Sequence, residues 1–181
     1  MRRLWRGRGL GSTPRLVTGN VQLTPVDELT LEPLLTVAVA ETQPEEVMPP
    51  VKAPPGWSQA RQEAFREFYR SSYGGLDGPT RTQMYAVICD GKVVGMTRMA
   101  RRDAPDTMET GMWLGRSARG QGIGVAALRL LLAAAAHAGT HLVVAETTVQ
   151  NTPALGALRR CGAVLRDDGT GVRAEIELGP H

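Results

Sequence analysis

The chain has little of what would place its chemistry on a metal or a thiol. Cysteine occurs only twice in 181 residues, at Cys89 and Cys161, far apart and without metal-ligand spacing. Two such thiols exclude a disulfide-stapled scaffold and read as free, buried groups in a reducing cytoplasm. The three histidines, His137, His141 and His181, form no metal signature. Gly139 is expected to end a helix between the first two, so they need not share a face, and no metal is expected. Long apolar runs are missing too. The longest, Val125 to Ala138, is broken by Arg129 and His137 and is shorter than the ~20 residues of a membrane span. No membrane partner is expected.

Acids are absent from the first fifteen positions, which hold Arg2, Arg3, Arg6, Arg8 and Arg15. The other 16 of the 21 Lys and Arg face all 18 Asp and Glu, so the net charge of +3 belongs to this tail. The stretch lacks the apolar run of a secretory signal. It reads as a basic, unstructured extension over residues 1–14 rather than as a nucleic-acid arm. Residues 15–181 then form one domain with a nearly neutral body, long enough to bury a core. A hydrophobic content of 42% with 22% charged residues is that of a soluble globular protein.

Arg15 to Thr24 reads as a first strand and Asp27 to Glu41 as a helix. Thr42 to Pro55 carries five prolines and is too long for a mere connector, so it is expected to cover a ligand site. Ser58 caps a second helix running to about Ser72, with Phe65, Phe68 and Tyr69 on one side. Asp90-Gly91 joins the strands Gln83 to Cys89 and Lys92 to Ala100 as a hairpin. Thr107 to Leu114 is a further strand, followed by a helix from Gly122 to Ala138. His141 to Thr148 is the next strand. A helix capped by Asn151 or Thr152, with Pro153 in its first turn, runs to about Cys161. Two last strands, Ala163 to Asp167 and Val172 to Leu178, close the order. The pattern predicts an α/β fold with a mixed, mostly antiparallel sheet of six to seven strands and about four helices.

Arg119-Gly120-Gln121-Gly122-Ile123-Gly124 stands where a strand hands over to a helix. Three glycines leave main-chain N–H groups free to converge on an anion, and the helix N-terminus adds partial positive charge. The alternative is a tight turn with no ligand. A nucleotide P-loop is excluded, because Gly124-Val125 lacks the Gly-Lys-Ser/Thr ending. A dinucleotide turn follows the first strand of a βαβ unit, whereas this one follows a meander, although Glu146 lies 22 residues beyond Gly124.

With its flanks, the turn resembles the GNAT superfamily of acyl-CoA N-acyltransferases, whose pyrophosphate turn reads Arg/Gln-x-x-Gly-x-Gly/Ala. Glu109-Thr110-Gly111-Met112-Trp113-Leu114 is similar to the Glu-x-Gly-Tyr-Trp-Leu strand of the branch containing ribosomal-protein N-terminal acetyltransferases. Asn151, Ala154, Leu158 and Gly162 keep the spacing of that branch's Asn-x-x-Ala…Gly-Phe helix, with Ala163 in place of the aromatic. The resemblance implies that Arg119, Gly120, Gln121, Gly122, Ile123, Gly124 and Val125 present backbone N–H groups to the pyrophosphate of acetyl-CoA. It also implies that Met112, Trp113 and Leu114 splay from their neighbour to pair with pantetheine. Asn151 would contact the same arm, or else merely cap its helix.

Acetyl transfer needs a neutral amine. Neutralising a lysine-like amine at pH 7 costs about 4–5 kcal/mol, and an α-amino group about 1–1.5 kcal/mol. A carboxylate acting directly or through water offsets this. Glu109 is the first candidate and Glu146 the second; Glu109 alternatively serves as a structural carboxylate beside an arginine or a helix terminus. A strand N–H near Trp113 or Leu114 is expected to stabilise the oxyanion. Many relatives carry a tyrosine acid seven residues after the motif Asn, where this chain has Leu158. The acidic face Glu41, Glu45 and Glu46 of the Pro-rich loop would draw a cationic amine if it overhung the cleft. The acceptor implied is a small cationic molecule such as an aminoglycoside, or a protein N-terminus. The other reading is a non-catalytic acyl-CoA-binding regulator. A homodimer is left open.

Overall fold

The computed structural model describes residues 16–167 and 169–179; the tail expected at 1–14 lies outside them. Its eight strands are β1 (Leu16–Thr18), β2 (Val21–Pro25), β3 (Thr82–Cys89), β4 (Lys92–Arg101), β5 (Thr107–Leu114), β6 (Leu142–Thr147), β7 (Val164–Asp167) and β8 (Val172–Glu177). They form one sheet in the order β1-β2-β3-β4-β5-β6-β8-β7. Every pairing is antiparallel except β5 with β6.

Alternation along the central strands supplies two cores, as a sheet covered on both faces requires. Tyr85 and Val87 of β3 and Met108 of β5 turn to one face, where they meet Ala127, Leu128 and Leu131 of α4 (Ile123–His137) and Leu158 of α5 (Thr152–Arg160). Met84 and Ala86 of β3, Met96 of β4 and Trp113 of β5 turn to the other. There they pack on Leu31, Leu34, Leu35 and Ala38 of α1 (Glu28–Glu41) and on Phe65 and Tyr69 of α3 (Gln59–Arg70).

Local chemistry sets the ends. Asp27 caps α1, its Oδ1 accepting from the N–H groups of Leu29 and Thr30 at 3.0 Å. The Asp90-Gly91 turn has both residues at positive φ, the geometry of the tightest hairpins. Two details differ from the sequence reading. The expected first strand folds back at Gly19, pairing Thr18 with Val21, so seven strands become eight; Gly19-Asn20 is itself a two-residue hairpin signal. The Pro-rich loop contains one helical turn, α2 (Pro44–Val47), started by Pro44, whose missing N–H costs nothing at that position.

Candidate functional site

The parallel pairing of β5 with β6 covers only Thr107–Leu142, Met108–Val143 and Glu109–Val144. Beyond these the strands part, although β5 stays paired with β4 as far as Leu114. A cleft of about 640 Å³ fills the fork, lined by Thr110 to Leu114 on one wall and Ala145 to Thr147 on the other. Residues of the glycine turn, α4 and α5 complete the lining. Its volume is that of an ordinary ligand site.

The cleft wall of β5 carries exposed backbone groups. Gly111 O accepts from Thr97 Oγ1 of β4 at 3.2 Å, and Gly115 N donates to Val94 O at 2.9 Å. Odd-numbered residues therefore turn their N–H and C=O toward β4, and the even-numbered Met112 and Leu114 turn theirs into the fork. Of the two donors expected for the oxyanion, Leu114 turns its N–H into the fork, as Met112 does, and Trp113 turns its N–H toward β4. Leu114 O is already taken by Arg119 Nε at 2.9 Å.

At the mouth, Gly120 and Gly122 adopt positive φ of 76° and 80°, which side-chain-bearing residues avoid. Gly122 is the N-cap of α4 and has no side chain to cap it. The first helical bond runs from Ala126 N to Gly122 O, so the N–H groups of Ile123, Gly124 and Val125 precede the intrahelical ladder. With the dipole behind them they have the geometry and partial charge to accept an anion. Gln121 Nε2 donates to Ser117 O at 2.7 Å and so braces the turn from within. Gly120, Gly122, Gly124 and Val125 line the cleft together with Arg119 and Arg160.

Asn151 stands at the start of α5. Its Oδ1 accepts from Ala154 N at 3.3 Å as the cap of α5, and the residue also lines the cleft. Arg160 was not singled out in the sequence, yet Pro153, Ala157 and Arg160 recur at helical spacing on the face of α5 that lines the cleft.

The two carboxylate candidates are placed very differently. Glu109 is the last paired residue before the fork and is not among the cleft-lining residues. Its Oε1 is 2.6 Å from Arg98 Nη2 and its Oε2 is 2.6 Å from Arg102 Nη2, with 16% of the side chain exposed. This is the carboxylate-beside-arginine arrangement, doubled. Glu146 lines the cleft two residues past the fork, and no ion pair or hydrogen bond joins its carboxylate to another side chain among the described residues.

The acidic loop is mostly committed internally. Glu41 accepts from Ser117 N at 2.7 Å and Ser117 Oγ at 2.9 Å. These bonds, the backbone one foremost, hold its carboxyl below the usual range and tie α1 to the turn before α4. Glu45 is ion-paired with Arg61. Glu46 alone of the three lines the cleft, held by Gln43 N at 2.8 Å. Trp57 is not in the lining; its Nε1 donates to Thr42 O at 2.9 Å.

Leu158 is buried in the α4–α5 core and lines the cleft floor; none of the three tyrosines lines it. Cys161 packs near Val125 O at 4.0 Å, and burial pushes its thiol up, away from thiolate chemistry. No group of His, Cys, Asp and Glu among the described residues is arranged to hold a metal. No helix among them is long and apolar enough to cross a membrane.

Comparison with known proteins accords with this geometry. A family model for the acetyltransferase (GNAT) domain matches residues 20–164. No curated protein matches the chain. Among solved structures, apo RimL, a ribosomal L7/L12 alpha-N-protein acetyltransferase, aligns over 96% of this chain and 99% of its own at 18% identity and a TM-score of 0.74. Mycobacterium smegmatis RimJ, in complex with CoA-disulfide, aligns over 87% of this chain and 81% of its own, at 20% identity and a TM-score of 0.71. An acetyl transferase from Salmonella typhimurium that modifies the N-terminal serine of the L7/L12 protein covers 90% and 97%, at 16% identity and 0.70. At these identities the likeness speaks for the fold.

Proposed function

The chain belongs to the GNAT family of acetyltransferases, and from that premise we propose that this acetyl-CoA-dependent N-acetyltransferase acts on a primary amine, foremost the α-amino group of a protein or peptide N-terminus. One observation carries the reading: the fork between β5 and β6 joins an anion cradle at its mouth to an unpaired carboxylate on its wall. The thioester of acetyl-CoA supplies the activated acetyl group. The cleft residues fit it, with three N–H groups and two arginines for its phosphates and an unpaired strand edge for its arm.

In this reading the N–H groups of Met112 and Leu114 polarise the acetyl carbonyl, as fixed dipoles that need no reorganisation. Glu146 takes the amine proton, directly or through one water. The earlier preference for Glu109 meets a physical obstacle, because both its oxygens are held by guanidinium groups and accepting a proton would break an ion pair. Glu109 is instead proposed to hold Arg98 and Arg102 at the base of the fork. Without a tyrosine at position 158 the thiolate leaves unaided, which its pKa of about 8.5 permits.

The α-amine is favoured because neutralising it costs only about 1–1.5 kcal/mol, within reach of a solvated carboxylate, and because the structural neighbour RimL is named an alpha-N-protein acetyltransferase and the one from Salmonella typhimurium modifies an N-terminal serine. A small cationic amine is the second reading, supported by Glu46 and Glu146 both lining the cleft. The test is thiol release from acetyl-CoA across a panel of N-terminal peptides, polyamines and aminoglycosides. Turnover of peptides with a free α-amine, abolished by blocking that amine, is expected. Turnover confined to polyamines or aminoglycosides would overturn the first reading in favour of the second.

A further inference from the structure

Behind the cleft wall lies a polar chain in an otherwise apolar core. Trp113 Nε1 is 2.9 Å from Tyr69 Oη, and Tyr69 Oη is 3.1 Å from Val47 O. The direction of both bonds is forced. An indole nitrogen can only donate and a carbonyl can only accept, so the tyrosine oxygen accepts from Trp113 and gives its own proton to Val47. Tyr69 is fully buried and stacked on Phe65, with ring centroids 4.2 Å apart. Burial holds its phenol far above the ordinary range, so it remains a neutral donor and takes no part in proton transfer.

The ends of this chain matter more than its middle. Trp113 sits between Met112 and Leu114, whose backbone faces the fork. Val47 is the last residue of α2, next to Glu46 on the cleft wall. One hydroxyl thus connects the strand that would hold the acetyl group to the loop wall across from it. Among the described residues no other side-chain hydrogen bond joins β5 to the segment from Gln43 to Ser58.

We propose that Tyr69 is a positioning residue for the transfer reaction, its hydroxyl setting the distance between the Met112–Leu114 strand and the Glu46 wall and so the width of the acceptor's entrance. The proposal rests on reading the fork as the reaction site. Tyr69 touches neither substrate and acts through Trp113 and Val47. Its removal therefore disturbs the acceptor side, while the glycine turn, braced separately by the bond from Gln121 to Ser117 O, keeps its hold on CoA.

The test compares Tyr69→Phe with Trp113→Phe and the double variant. Calorimetric titration with CoA, kinetics with the fastest amine of the panel above, and amide exchange over residues 43–58 are measured on the full chain. Tyr69→Phe is expected to lower kcat/KM for the amine at least tenfold through a raised amine KM, with CoA affinity within twofold. Exchange over 43–58 is expected to rise. Trp113→Phe should reproduce the kinetic loss, and the double variant should add little to either. Unchanged amine kinetics and unchanged exchange in a folded Tyr69→Phe would overturn the proposal, as would an equal loss of CoA and amine affinity. If Tyr69→Phe does not fold, Trp113→Phe alone decides by the same criteria. Failure of the wild-type chain to bind CoA would refute the reading of the fork, which is a separate result.

Discussion

Replacing Gly122 by aspartate separates folding from co-substrate binding, and its two effects have different sizes. The residue sits at φ 80° with nothing within 4 Å of where a Cβ would stand, so the cost is conformational, not steric. Aspartate visits this left-handed region more readily than most residues. At an N-cap its carboxylate also accepts from the first-turn N–H groups and meets the positive end of the α4 dipole, each contribution being about 0.3–1 kcal/mol. Strain and capping nearly cancel, and the melting temperature should move by no more than about 2–4 °C. Binding suffers more. A carboxylate within about 5 Å of a phosphate charge, at an effective dielectric constant of about 20, repels it by about 3 kcal/mol. It also occupies the N–H groups of Ile123 to Val125 that the anion would use. CoA affinity should fall about a hundredfold or more. Calorimetric titration with CoA beside a thermal melt measures both, and Gly122→Ala, which strains the turn without adding charge, should lose far less. A folded Gly122→Asp binding CoA within threefold of wild type would refute the cradle.

The remaining predictions concern carboxylates. Glu146→Gln should lower kcat at least tenfold with CoA affinity unchanged, whereas Glu109→Gln should mainly lower stability, by about 1 kcal/mol, since it leaves the half-buried Arg98 and the exposed Arg102 without their carboxylate; a larger rate loss in a stably folded Glu109→Gln would return the base to Glu109. Glu41 has a folded-state pKa below its unfolded value, so the stability it contributes is complete above the ordinary carboxylate range and is lost as pH falls through the depressed value. The melting-temperature gap between wild type and Glu41→Gln should accordingly close on acidification. A gap that persists once Glu41 is protonated would show that Ser117 is not the cause.

Much of the site was legible because the glycine turn is written in a local code. Positive φ at Gly120 and Gly122 follows from residue type and neighbours within a few positions, as does the Asp90-Gly91 hairpin. The fork was legible only through family resemblance. Strand periodicity gives which residues face which way, but nothing in it says that β5 and β6 stop pairing after Glu109 and Val144. The surroundings of Glu109 were hidden for a related reason. Arg98 reaches it across the β4–β5 register, where Ala100 is its direct partner, and Arg102 from just beyond the end of β4. Glu41 and Glu45 looked like a solvated acidic face because Ser117 and Arg61, their partners, lie 76 and 16 residues away. Arg160 was legible and passed over, since its place on the α5 face follows from spacing alone.

Three residue pairs are all that splice β6, β8 and β7 onto the rest of the sheet. Whatever occupies the gap beyond them is in effect a ninth strand, borrowed from the small-molecule pool. Stability and co-substrate concentration then become two readings of one equilibrium: at a hundred times its dissociation constant, a ligand of the native state adds about 2.7 kcal/mol against unfolding. A cell that depletes its acetyl-CoA would not merely idle this enzyme. It would also leave the seam that joins β6, β8 and β7 to the rest of the sheet unsupported, and lifetime would follow metabolic state.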